Sequence, residues 1–270
     1  MTAFDWHTAE RDFAGGYDLD RPAMSRLWNF WGDGKDFNPA DRALGETVAA
    51  RFPQIKSLAQ HRIAFRARVT RALAERGIDQ LLVVGTDMPL RDEVHTIAQA
   101  VNPDARIVYS DADELTLLHA DVFYRAEFGG CGFVQAGPDE PREVLYGAAA
   151  TLNLDRPVGL LLINSLDVLT DPKAVAALAA FRAGLATGSC IAVCHLTAEH
   201  DHHLVELAGL CAAVNTGPPC IRNPKALATL YAGLEMIEPG LVPVPAWRPE
   251  PGPWPIPDGV DLWCGVGVLP

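Results

Sequence analysis

Polar residues that can bind a ligand or move a proton stand where apolar runs end. Asp87 follows "QLLVVG", Asp111 follows "ARIVYS", Asp167 comes shortly after "PVGLLLI", and His195 ends "SCIAVCH". A carboxylate in such a place can accept two hydrogen bonds from a ribose diol. It can also take a proton, and an imidazole there can accept one from a hydroxyl or amine near neutral pH. The bland alternatives stay open: Asp111 or Asp113 can cap the helix that follows, and His195 can bond its own loop. Cys194 is a nucleophile only with a lowered pKa.

These residues share a site only if the runs are strands of one sheet ending on one side. The runs are 80–84, 105–110, 131–136, 157–163 and 189–196, and helical spacing recurs near 90–100, 113–127, 140–152 and 172–184. Continuous Val/Ile/Leu runs alternating with helices predict a parallel sheet covered on both faces. Ligands in such a sheet bind beyond the carboxyl ends of the strands, where strand order reverses. Two further runs, 233–239 and 260–268, predict a terminal strand pair joined by a Pro-rich connection. Helices are expected at 40–52 and 57–76, behind an irregular, aromatic-rich stretch of 38 residues that includes Trp6, Phe13 and Tyr17. Residues 1–76 would then form a lid and helices packed on a core of 77–270.

The balance of the chain narrows the function. A net charge of −12 over 270 residues opposes a nucleic-acid surface. No apolar run is long enough to span a bilayer, and the start lacks a signal-peptide pattern, so a cytoplasmic protein is expected. Six cysteines without a CxxC pair read as free core thiols. The histidines of "HLTAEHDHH" lack an i, i+4 pair of the metal-binding kind, and no metal is expected.

Longer motifs add a resemblance. "SRLWNFWGDGKDFNPADRALGE", "LDRPVGLLLI", "VCHLT" and "GLEMIEPGLVPVPAWRPE" are similar to the hallmarks of the actinobacterial family of S-adenosyl methyltransferases, from about Pro22 to Pro270. The resemblance implies a Rossmann-like, seven-stranded α/β methyltransferase fold: a mostly parallel sheet with a terminal antiparallel strand. It also implies S-adenosylmethionine as cofactor, held by Gly85, Thr86, Asp111 and Asp113, under an N-terminal helical lid. Trp28, Trp31, Lys35 and Asp36 of the lid, together with Arg62, would face a small-molecule substrate. Trp28 and Trp31 would equally serve as anchors of a helix.

The chain departs from the family at the cofactor. Val83 replaces an aspartate, Asp87 the second glycine of the turn, Leu90 a threonine, and Gly137 the carboxylate that accepts from the adenine amino group; Asp139 lies two residues along. Asp167–Val168 replaces a His-Phe pair. Two functions follow: a methyltransferase acting on a small molecule, or a repurposed member of the fold catalysing a cofactor-free cyclisation, elimination or rearrangement. In the second, Asp87, Asp167 or His195 would act as acid or base.

Overall fold

A computed structural model describes residues 20–124, 129–214, 218–249 and 259–270. Trp6, Phe13, Tyr17 and the middle of the Pro-rich connection lie outside them. Five strands run parallel: β1 (Gln80–Val84), β2 (Arg106–Asp111), β3 (Gly130–Gln135), β4 (Gly159–Ile163) and β5 (Cys190–Leu196). Next come β6 (Glu235–Met236), β7 (Val242–Pro243) and β8 (Leu262–Val268). The sheet order is β3-β2-β1-β4-β5-β8-β6, with β8 antiparallel to β5 and β7 paired to β8. Strand order therefore reverses between β1 and β4.

The helices are α1 (Met24–Trp31), α2 (Pro39–Arg51), α3 (Ile55–Glu75), α4 (Val94–Val101), α5 (Glu114–Phe123), α6 (Pro141–Ala148), α7 (Asp171–Ala183), α8 (Glu206–Ala213) and α9 (Pro224–Leu230). Every residue of β1, β4 and β5 is buried, as continuous apolar runs require in a sheet covered on both sides. One face packs on α1 to α5 and α8, the other on α6, α7 and α9. No helix among the described residues is long and apolar enough to cross a membrane, and the six cysteines form no disulfide.

Two expectations need correction. The stretch before residue 38 is not irregular throughout: Met24–Trp31 is helical and buries Leu27, Trp28 and Trp31. Its start escapes a sequence reading because Ala23 supplies no capping side chain. The Asp41 carboxylate caps it from α2, accepting from the Ala23 amide at 2.9 Å. The run 233–239 contracts to the pair Glu235–Met236, between Gly233 with φ +77° and Pro239, which has no amide hydrogen to donate.

Candidate functional site

A cavity of about 220 Å³ opens at the carboxyl ends of β1, β2 and β4, beside the point of strand reversal. Ala23, Met24, Ser25 and Trp28 roof it from the start of α1. That roof is tied down at several points. Arg26 is buried and bonds Asp41 at 2.7 Å and Asp113 at 3.4 Å. The Ser25 and Thr116 hydroxyls lie 2.9 Å apart, and Asn29 Nδ2 donates to Pro89 O at 3.2 Å.

The floor is the turn after β1. The Gly85 and Thr86 amides both donate to Ser110 O, at 2.8 and 3.1 Å, which folds the turn back on β2. Gly85 has φ +79°, and a Cβ there would stand 2.7 Å from Ser165 Cβ. The position demands glycine on two counts. Gly85→Ala is expected to cost about 1–3 kcal/mol in backbone strain alone, plus whatever Ser165 must yield, as a lowered urea midpoint. An unchanged midpoint would contradict the tight approach of β1 to the β4 loop.

Asp87, two residues after Gly85, turns toward α3. Its carboxylate forms a close ion pair with Arg62 Nη1 and lies 3.8 Å from Arg66 Nη1. Arg62 is otherwise engaged: Nε donates to Asn164 Oδ1 at 3.0 Å, Nη2 to Ile163 O at 3.0 Å, and its guanidinium lies 5.0 Å from the Trp28 ring centroid. Arg66 also pairs with Glu93 at 3.2 Å. Arg62 and Arg66 sit i, i+4 on the buried stripe of α3 that includes Leu58, Val69 and Leu73. Arginines on an apolar stripe are the sequence signal that would have pointed to Arg66.

Beside the turn Asp111 ends β2, and its Oδ1 accepts the Asp113 amide at 2.9 Å. Burial, reinforced by the neighbouring Asp113 and Asp87 charges, raises its pKa to about 8. Asp113 caps α5: its carboxylate accepts from the Leu115 amide and the Thr116 hydroxyl, both at 3.0 Å, while also bordering the cavity. Capping and site-lining coexist in one residue.

Asp167 lines the cavity on the β4 side and is 3% exposed. Its Oδ2 accepts from Asn164 Nδ2 at 2.7 Å and from the Leu196 amide at 3.2 Å. His195 lies behind it, fully buried, with Nε2 3.0 Å from Asp167 Oδ1. The histidine's partners fix its tautomer. Nδ1 lies 2.8 Å from Leu196 O, which can only accept, so Nδ1 carries the proton. Arg222 Nη1 closes on Nε2, so the ring's basic lone pair is already taken. Asp167 Oδ1 then has no donor, as its lack of a hydrogen-bond partner records. His195 thus stands between Asp167 and Arg222 and does not border the cavity. Arg222, missed in the sequence, also bonds Leu166 O at 2.9 Å and Asp171 at 2.8 Å.

The remaining residues divide between wall and scaffold. Trp31 is fully buried and donates to Gly45 O at 3.1 Å, and Lys35 and Asp36 lie outside the cavity wall. Val83 is core. Burial raises the Cys194 thiol pKa, the opposite of activation. His202 bonds Ala198 O and His203 bonds Glu206, so the histidine cluster is spread over separate partners. A Cβ on Gly137 would stand 2.9 Å from Asp139 Oδ1, so the Asp139 carboxylate borders the space an aspartate side chain at 137 would enter.

A family model described as S-adenosyl methyltransferase matches residues 12–270. A DUF574-family protein from Streptomyces avermitilis superposes with TM-score 0.88 at 29% identity, over 94% of this chain and 99% of that one. A candidate methyltransferase from Thermobifida fusca superposes with TM-score 0.86 at 28% identity, over 94% and 97%. The plantazolicin methyltransferase, solved with S-adenosylhomocysteine and a substrate analogue, is similar in fold alone, with TM-score 0.52 at 10% identity over 91% and 95%. No curated protein matches the chain.

Proposed function

Because this chain belongs to the S-adenosyl methyltransferase family, we propose that its cavity holds an S-adenosyl ligand and that the protein methylates a small molecule. The observation that carries this reading is Asp111, at the end of β2 and beside the glycine turn of β1, which bonds Ser110 O next to it. A carboxylate there suits the two ribose hydroxyls. Ala112 and Pro138 offer apolar wall for a base, and Gly85 admits close backbone approach. Two buried hydroxyls without partners, Thr86 Oγ1 and Ser165 Oγ, flank the turn. The adenosyl end fits.

The amino-acid end fits poorly, because Arg62 is paired with Asp87. When bound, S-adenosylmethionine supplies a methyl group on a positively charged sulfur. The chain's own work is alignment and exclusion of water, which Trp28 and Met24 in the roof provide. Of the wall carboxylates, Asp167 is the candidate to accept a proton from an acceptor hydroxyl or amine, with Asp87 committed to Arg62. A roofed cavity of about 220 Å³ favours a small acceptor over a macromolecular one.

A second reading rests on that Asp87–Arg62 pair and on Asp111. A carboxyl that keeps its proton up to about pH 8 is a general acid available at neutral pH. A cofactor-free cyclisation, elimination or rearrangement could use it. Incubation with methyl-labelled S-adenosylmethionine and a small-molecule extract separates the two. Labelled product supports methyl transfer; an extract component consumed without label and without added cofactor favours the second reading.

A further inference from the structure

We infer that the cavity selects S-adenosyl ligands lacking the α-carboxylate, because the chain's own Asp87 occupies the arginine that a ligand carboxylate would need. This deepens the reading that the cavity holds an S-adenosyl ligand and rests on it.

The cavity has two unlike ends. Toward β3 its wall is Ala112 and Pro138; toward β4 it is Arg62, Asp87, Asn164 and Asp167. With the ribose on Asp111, the base takes the apolar end, and the charged amino-acid tail lies at the β4 end. Among the described residues of the wall, Arg62 is the one cationic side chain, against the carboxylates of Asp87, Asp113 and Asp167. Each of its three nitrogens already donates to the protein, and Nη1 faces a full negative charge. The guanidiniums of Arg26 and Arg66 are likewise paired, with Asp41 and Glu93.

A ligand carboxylate entering that end meets an acidic wall and no free cation. It must displace Asp87 or remain unpaired, whereas an ammonium and a sulfonium are attracted by the same carboxylates. The pair holds the place of the missing ligand group. Losing a charge-assisted contact corresponds to about tenfold to a hundredfold in affinity.

The test is calorimetric titration of the wild-type protein with methylthioadenosine, decarboxylated S-adenosylmethionine and S-adenosylmethionine. Methylthioadenosine carries neither carboxylate nor ammonium and reports on the adenosyl end alone. Expected are binding of methylthioadenosine and a decarboxylated ligand at least tenfold tighter than S-adenosylmethionine. Asp87→Gly, which frees Arg62, should shrink or reverse that ratio. If methylthioadenosine binds and S-adenosylmethionine is as tight as its decarboxylated form, the inference fails and the adenosyl reading stands. If methylthioadenosine does not bind, both fail. The wild-type comparison decides the matter even if the variant misfolds.

Discussion

Asp87→Asn is expected to destabilise the protein by about 3–5 kcal/mol, the cost of stripping a partner from a buried ion pair. The carboxylate sits between two buried guanidiniums, in contact with Arg62 and 3.8 Å from Arg66, so its loss leaves like charges facing each other. Arg62→Met should cost less, because Asp87 can then turn to Arg66. In the double variant neither charge is stranded, and its loss should be smaller than the sum of the two by about 1–3 kcal/mol. Urea unfolding of the four proteins measures this coupling. Additivity within about 0.5 kcal/mol would show that the pair is not fixed as described.

The second large effect concerns Asp111. Its raised pKa means that at neutral pH the free protein holds a proton there, whereas ribose hydroxyls are best accepted by the ionised carboxylate. Binding of an adenosyl ligand should therefore release a proton below about pH 8. Affinity should rise by up to about tenfold per pH unit as pH approaches that value, then level off. Asp111→Asn should weaken methylthioadenosine by about tenfold to a hundredfold and flatten the pH dependence. The sign for stability runs the other way. A carboxyl whose folded pKa is raised from 3.8 to about 8 stabilises the free fold below the lower value and loses that contribution as pH rises through the upper one. Added ligand should thus stabilise the protein most at high pH. Calorimetry in buffers of different ionisation enthalpy counts the protons, and a count of zero near neutral pH would contradict the assignment.

The sheet was legible in the sequence because each buried strand is a continuous apolar run bounded by turn residues. β1, β4 and β5 are buried along their whole lengths and coincide with three of the runs. The edge elements were less so, since β6 and β7 are two-residue pairings set by contact with β8 and not by any periodicity of their own. At the site, Asp111, Asp167 and the Gly85 turn could be placed because strand ends in a parallel sheet share one side. What their side chains do there depends on residues far away in the chain. Asp87 is turned by Arg62, 25 residues earlier. His195 is fixed by Arg222, 27 residues later. Neither pairing leaves a local pattern. Nor does the cap of α1, supplied by Asp41.

The cavity at the β1–β4 switch point is proposed to be an adenosyl site whose amino-acid end is filled by the chain itself. A crystal structure with bound methylthioadenosine tests it most directly. Expected are ribose hydroxyls within hydrogen-bond distance of Asp111, the base beside Ala112 and Pro138, and Asp87 still paired with Arg62. A ligand seated elsewhere, or a ribose turned away from Asp111 with Asp87 released from Arg62, would contradict it.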